Sequence, residues 1–183
     1  MWKKFRQAWH HLFQLDRDEL PFQAQTVQIG QQELNLRRLE RQNITALLDL
    51  ERACYAGLTP WDRFAFMVEL RKRRQSLYLA LFDHDERLLA FVGCWFVAAG
   101  ESHITNIAVA PEQQSKGFGT FLLNFMIDYA RTLKCRKMTL EVRVDNSGAH
   151  RLYERLGFTD GNLKKAYYVE DHSDARDMTL NLN

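Results

Sequence analysis

The sequence predicts a single α/β domain with a mixed central sheet flanked by helices, preceded by a short amphipathic helix. Three observations carry this expectation. A chain of 183 residues buries one core without covalent staples. Apolar residues recur with period two in some stretches and near period four in others, the signatures of strands and helices. At residues 103–133 a strand, a glycine-bearing turn and a helix follow one another in order. Hydrophobic residues at 46% and charged residues at 26% put the chain in the globular range and exclude disordered or fibrous classes.

Trp2, Phe5, Trp9, Leu12 and Phe13 recur at helical spacing, with Lys3, Lys4 and Arg6 between them, which predicts a basic amphipathic helix. Such a stripe packs on its own domain, on a second copy as in a homodimer, or on a membrane surface or other partner. Residues 16–33 read as a polar connector broken by Pro21 and Gly30. Residues 1–33 are thus the helix and connector, and residues 34–183 the main domain. Leu34, Leu36 and Leu39 suggest its first strand. Asn43 then caps a helix carrying Ile44, Leu47, Leu48 and Cys54. Thr59 before Pro60 is the expected start of a second helix, with Phe64, Met67 and Leu70 on one face and Arg71 to Arg74 at its basic end.

Residues 76–82 and 88–98 are apolar runs separated by Asp83-His84-Asp85-Glu86-Arg87, which predicts a hairpin. His103 to Val109 is the next strand. A helix follows through Phe121, Leu122, Phe125, Met126, Tyr129 and Leu133. In Lys137 to Val144 the residues Met138, Leu140, Val142 and Val144 share one strand face and Thr139, Glu141 and Arg143 the other, so a carboxylate points out of the apolar layer. A helix at 147–156 and a last strand through Met178, Leu180 and Leu182 complete the chain.

The composition also excludes several classes. Twenty-five basic against 23 acidic residues leave a net charge of +2, too little for a nucleic-acid surface. Cys54, Cys94 and Cys135 form no C-x-x-C pair, so no disulfide framework, thiolate site or bound metal is expected and a reducing, cytoplasmic setting fits. The longest apolar run, Leu88 to Ala99, falls short of the about 20 residues of a membrane-spanning helix and reads as a buried strand. The N-terminus lacks the apolar stretch and cleavage site of a secretory signal.

Gln114-Ser115-Lys116-Gly117-Phe118-Gly119 sets two glycines at the start of a helix, where unpaired N–H groups and the positive dipole end hold phosphate. The turn lacks both the Rossmann spacing and the Walker lysine followed by Ser/Thr. Ile107-Ala108-Val109-Ala110-Pro111 precedes it, and Asn146 with Leu152-Tyr153-Glu154-Arg155-Leu156-Gly157-Phe158 follows. Together these segments resemble the GNAT superfamily of acetyl-CoA N-acetyltransferases over residues 34 to 182. The resemblance implies that backbone groups of Ile107, Ala108 and Val109 pair with the pantetheine arm of acetyl-CoA. Residues 114–119 would hold its pyrophosphate, and Asn146 would also contact it. Leu140-Glu141-Val142-Arg143, Pro60-Trp61 and Tyr167-Tyr168 look like the bacterial ribosomal-protein-alanine N-acetyltransferases. There a protein N-terminus is the acceptor, and Pro60, Trp61, Arg143, Tyr167 and Tyr168 are the implied substrate contacts. Thr59 departs from that pattern, which has an aromatic residue before the proline.

Acetyl transfer from a thioester to an amine needs a neutral amine, a polarised carbonyl and a proton for the departing thiolate. The resemblance makes Glu141 the base and Tyr153 the acid; the bland readings are a solvated strand carboxylate and a buried phenol. Tyr153 lies two helical turns after Asn146, on the same side. A phenol with pKa about 10 protonates a thiolate whose thiol has pKa about 8.5 only with help from hydrogen bonding or product release. An N–H near Ile107 is placed to hold the thioester oxygen. His103 and His150 are further candidate bases, although neither matches the family motif. At pH 7.5 about a third of α-amines but about 0.1% of lysine side chains are neutral, which favours an N-terminal acceptor for a modestly tuned glutamate. Acetylation of lysine or a small polyamine-like amine, and a non-catalytic acetyl-CoA-binding module, are the competing readings.

Overall fold

The computed structural model of the protein describes residues 19–55, 57, 59–97, 100–168 and 171–183. The basic helix expected from Trp2 to Phe13 lies outside the described residues. The elements run β1 (Gln25–Ile29), β2 (Gln32–Arg38), α1 (Ile44–Cys54), α2 (Arg63–Glu69), β3 (Ser76–Phe82), β4 (Leu88–Val97), β5 (Glu101–Val109), α3 (Phe118–Thr132), β6 (Lys137–Arg143), α4 (Ser147–Arg155), β7 (Thr159–Lys164) and β8 (Ala175–Asn181). The strands form one sheet in the order β1-β2-β3-β4-β5-β6-β8-β7. Every neighbouring pair is antiparallel except β5 and β6, so the sheet is mixed as expected.

The sheet is buried from both sides, which is why β3 and β4 read as continuous apolar runs rather than alternating ones. On one face Leu122, Leu123, Met126 and Ile127 of α3 pack with Leu79, Val92 and Met138, joined by Tyr153 and Phe158. On the other, Leu47 and Leu48 of α1 and Phe66 of α2 pack with Tyr78, Phe91 and Ala108. In β6 the inward residues Met138, Leu140 and Val142 are buried while Glu141 and Arg143 lie on the opposite face.

Four sequence expectations change. The segment read as connector contains β1, which pairs with β2 from Gln25↔Leu36 to Ile29↔Gln32, and Leu20 before it is fully buried. Its polar alternation hid it, because an edge strand needs few apolar residues. The second helix starts later than Pro60: Asp62 is its N-cap, with Oδ1 accepting from Ala65 N–H at 2.7 Å, and it ends before Arg71 to Arg74. Strand β7 has no apolar pattern, being exposed along most of its length, and was not foreseen. Val144, expected on the inner face, is 54% exposed because β6 has already ended at Arg143.

Candidate active site

The site begins where two strands separate. Strands β5 and β6 pair only over Glu101–His103 and Lys137–Thr139, although β5 continues to Val109 and β6 to Arg143. Past His103 the β6-facing edge of β5 has no strand partner among the described residues. Ala110 N–H donates to Leu89 O at 2.8 Å, and bonding in an antiparallel ladder alternates, so Ile107 and Val109 turn their main-chain groups to that open edge. The Val109 carbonyl accordingly accepts from the Cys54 thiol and from the Gln114 amide, both at 3.2 Å and both outside the ladder.

A bulge shapes the same stretch: Gly93 faces Asn106 and Cys94 faces Ile104, leaving Thr105 out of register. Gly93 permits this geometry, since a Cβ there would lie 2.1 Å from the Tyr78 ring and 2.6 Å from Asn106 Oδ1. The Tyr78 hydroxyl hydrogen-bonds Thr105 Oγ1 at 2.8 Å, pinning the bulge from within the core.

At the end of β5 the chain turns into α3 through Ser115 (φ 62°) and Gly117 (φ 92°). Gly117 is the N-cap of α3 and, having no side chain, leaves the N–H groups of the first turn uncapped among the described residues. A 15-residue helix with its N-terminal N–H groups bare beside an unpaired strand edge is suited to an anionic, extended ligand. Gly119 sits against Leu152 Cδ2, to which a Cβ would approach 3.4 Å, so α4 closes the back of the turn. These features fit the pyrophosphate and pantetheine of coenzyme A.

Glu141 lies on β6 beside the separation, with its side chain 9% exposed. Its Oε2 is 3.3 Å from His103 Nε2 and its Oε1 accepts from Lys164 Nζ at 2.6 Å. His103 Nδ1 in turn hydrogen-bonds Thr139 Oγ1 at 2.8 Å, and the ring packs against Trp95 with 6.0 Å between centroids. Burial pushes the Glu141 carboxyl up, but hydrogen bonding and charge from His103 and Lys164 outweigh it and hold the group below the ordinary carboxylate range. Glu141 is therefore ionised at neutral pH.

Tyr153, on α4, is 6% exposed and packs edge-on against Phe158. Among the described residues its hydroxyl makes no hydrogen bond, and burial alone pushes it up to about 12. Its phenol is therefore neutral at physiological pH. Tyr168 is raised first by burial and then by the proximity of both Tyr153 and Glu141, so the three lie together. Tyr167, raised by burial and by Glu141, packs perpendicular to Tyr168 at 5.2 Å.

The acetyltransferase (GNAT) family model matches residues 44–158, more than half of the chain. The chain belongs to this family. The ribosomal protein bS18-alanine N-acetyltransferase of Salmonella typhimurium is 33% identical over 144 residues, 78% of this chain and 93% of its own length. A solved ribosomal-protein-S18-alanine N-acetyltransferase from Escherichia coli superposes with a TM-score of 0.71 at 29% identity, covering 81% of this chain and 93% of that one. The spermidine/spermine N-acetyltransferase SpeG from Vibrio cholerae gives a TM-score of 0.64 at 25% identity over 81% and 92% of the two chains. GNAT proteins use acetyl-CoA as cosubstrate, and this chain is one of their acetyltransferases.

The structure brings together Glu141, Tyr153, Tyr167 and Tyr168. It engages the remaining expected residues differently. Asn146 spends its side-chain oxygen on capping α4, accepting from Ala149 N–H at 3.0 Å. Arg143 is bound bidentate to Asp145 at 3.0 and 2.9 Å, bridges to Asp171 at 2.9 Å, and lies over the Tyr168 ring at 5.2 Å, so it braces the tyrosine side of the cluster. Trp61 is 8% exposed and packs on Phe66 and Tyr78, while its N–H donates to Glu51 Oε2 at 3.1 Å. Its ring anchors the segment after α1, with Pro60 half-buried beside it. His150 pairs with Asp160 at 2.7 Å and lies 3.5 Å from Glu154, outside the Glu141 cluster.

Sequence reasoning gave His103 little weight, and missed Lys164, Asp177 and Glu51 altogether. The first three meet through the sheet order, for β8 pairs with both β6 and β7 and sets Glu141 opposite Asp177. A glutamate on the inward face of an amphipathic helix, as Glu51 is among Leu47, Leu48 and Leu50, was the available signal for the last.

Proposed function

We propose that this enzyme transfers the acetyl group of acetyl-CoA directly to the α-amine of a protein N-terminus, with an N-terminal alanine of a ribosomal protein as the first candidate acceptor. The observation that carries the reading is the joint presence, beside a parted strand pair, of an ionised buried carboxylate and an unspent neutral phenol, Glu141 and Tyr153. The names of the Salmonella and Escherichia relatives support the choice of acceptor. So does the charge balance of the site: Glu141 carries His103 and Lys164, and Asp145 and Asp171 carry Arg143, which leaves an aromatic rim at Tyr167 and Tyr168 rather than an acidic pocket for a polycation.

In this reading the thioester oxygen lies at an N–H near Ile107 and the acceptor amine attacks the carbonyl carbon. Glu141 takes the amine proton, directly or through one water. As the carbon–sulfur bond breaks, the Tyr153 hydroxyl gives its proton to the thiolate, and solvent restores it. Main-chain groups of Ile107 and Val109 hold the pantetheine arm, those of Ala108 being turned to β4 in the ladder, and Gln114, Ser115, Lys116, Gly117, Phe118 and Gly119 hold the pyrophosphate, with Asn146 at the edge. Tyr167 and Tyr168, braced by Arg143, shape the acceptor side, and Trp61, packed in the core, anchors the segment that carries Pro60. The reading includes a cytoplasmic setting; among the described residues no helix is long and apolar enough to cross a membrane.

Thiol release from acetyl-CoA with three acceptors tests the proposal: an Ala-terminal peptide, the same peptide N-blocked but containing lysine, and spermidine. Turnover confined to the free N-terminus is expected. Turnover with lysine or spermidine alone moves the acceptor and keeps the chemistry, and no turnover with any of them means acetyl-CoA is bound without transfer.

A further inference from the structure

Glu141 does not stand alone at the end of the parted strands. Asp177 on β8 is its direct cross-strand partner in the ladder, an arrangement that by itself sets two carboxylates side by side and is destabilising. Lys164, the last residue of β7, reaches over both: its Nζ is 2.6 Å from Glu141 Oε1 and 3.8 Å from Asp177 Oδ2. Its ammonium also lies 5.6 Å from the centre of the Tyr167 ring. The lysine side chain is 34% exposed while the carboxylate it holds is 9% exposed, so the ion pair spans the boundary between solvent and the buried site.

Resting on the reading of Glu141 as the base, we propose that Lys164 is a positioning residue for acetyl transfer, a resident cation clamped between Glu141 and Asp177 that aims the Glu141 carboxylate at the acceptor amine. The two oxygens of Glu141 have separate partners, His103 on Oε2 and Lys164 on Oε1, which together fix the plane of the carboxylate. When the acceptor's amine arrives at Oε1, Lys164 transfers its attraction to Asp177 without leaving the cluster. Asp177 is in turn held through Oδ1, which accepts from Asn162 N–H in the bulge between β7 and β8. Lys164 also offsets the cost of burying Glu141, since its hydrogen bond and charge both favour the ionised carboxylate. The titratable groups facing Glu141 are His103 from β5, Lys164 from β7, Asp177 from β8, and Tyr167 and Tyr168 from the segment after β7.

Removing Lys164 takes away one of the groups that oppose burial and leaves His103 and the hydrogen bond with Tyr167, so Glu141 takes up a proton nearer neutrality. The experiment is the pH profile of kcat/KM for an Ala-terminal peptide between pH 5.5 and 9, comparing the intact enzyme with Lys164→Gln, Lys164→Arg and Glu141→Gln. The intact enzyme should lose activity on the acid side with slope one, from protonation of the acceptor amine alone. Lys164→Gln should fall more steeply on the acid side, with a further loss of about twofold or more at pH 5.5 relative to its own plateau, because a second group now takes up a proton there. Lys164→Arg should restore the slope of the intact enzyme.

A Lys164→Gln profile parallel to that of the intact enzyme, merely lower at every pH, overturns the proposal and leaves Lys164 a structural ion pair. If Lys164→Gln does not fold, Lys164→Arg decides the question, since a steepened profile there contradicts the expected rescue. Glu141→Gln separates the two levels. Full activity in that variant overturns the base assignment itself, whereas loss of activity there together with a parallel Lys164→Gln profile overturns the Lys164 proposal alone.

Discussion

Between Ile107 and Gly119 the site is made of main chain: an open strand edge and an uncapped helix start, both set by a bulge, a strand separation and a glycine. Around Glu141 it is made of side chains brought from β5, β6, β7 and β8, each fixed by its neighbours' charges. The difference tells how each half fails. A main-chain site depends on backbone conformation and is insensitive to most side-chain changes. A side-chain site depends on the pairing of distant strands, and a single replacement alters its protonation as well as its shape.

The largest effect expected is at Glu141. Glu141→Gln keeps the volume and loses the proposed base, and kcat/KM for a peptide N-terminus should fall by about 10²-fold or more with acetyl-CoA affinity retained, read by steady-state kinetics and calorimetric titration. Parallel losses in both would mean that the two halves are not separable.

Tyr153→Phe should lower kcat by about ten- to a hundredfold, and an acetyl donor with a more acidic thiol should recover most of it, because a better leaving group needs no proton. Failure of such a donor to recover activity would assign Tyr153 to packing against Phe158. Since burial holds this phenol up to about 12, no alkaline loss of activity from its ionisation should appear below about pH 10.

Gly117→Val probes the main-chain half. The αL conformation at φ 92° costs a β-branched residue about 1–2 kcal/mol, so KM for acetyl-CoA should rise by about tenfold while KM for the peptide stays unchanged. A selective rise in peptide KM would place the turn on the acceptor side instead.

The smallest effect concerns stability. Burial pushes the Glu51 carboxyl up to about 7, with the Trp61 N–H only partly offsetting it. A carboxyl whose pKa is higher in the fold than in the unfolded chain stabilises most below pH 4.5, and that contribution is lost as pH rises through 7, by up to about 3 kcal/mol. Against Glu51→Gln, which cannot titrate there, the intact protein should lose several degrees of relative Tm between pH 5 and pH 8. Equal differences at both pH values would mean Glu51 is already ionised in the folded state.

Much of the main-chain half was legible in the sequence because its determinants are contiguous. Ile107 to Val109, then Gly117 and Gly119, then the apolar period of α3 predict strand, turn and helix without reference to the rest of the chain. Glu141 and Tyr153 were legible as residues, one off the apolar face of its strand and one at helical spacing from Asn146, but their surroundings were not. Lys164 was hidden in β7, whose exposed sequence has no strand pattern, and His103 had no visible partner until β5 and β6 were placed side by side. Trp61 shows the reverse error: an aromatic residue beside Pro60 suggests a contact surface, and only packing against Phe66 and Tyr78 reveals it as core.

By itself the sequence determined the α/β class and the position of the glycine turn proposed for the acetyl-CoA phosphates, because these follow from periodicity and short-range backbone preference, and its motifs named the two candidate proton-transfer residues. Tertiary structure alone decided where β5 and β6 part, that Glu141 is buried yet ionised, and that His103, Lys164 and Asp177 surround it. Those outcomes depend on strand order and register, which join residues tens of positions apart and leave no local pattern to read.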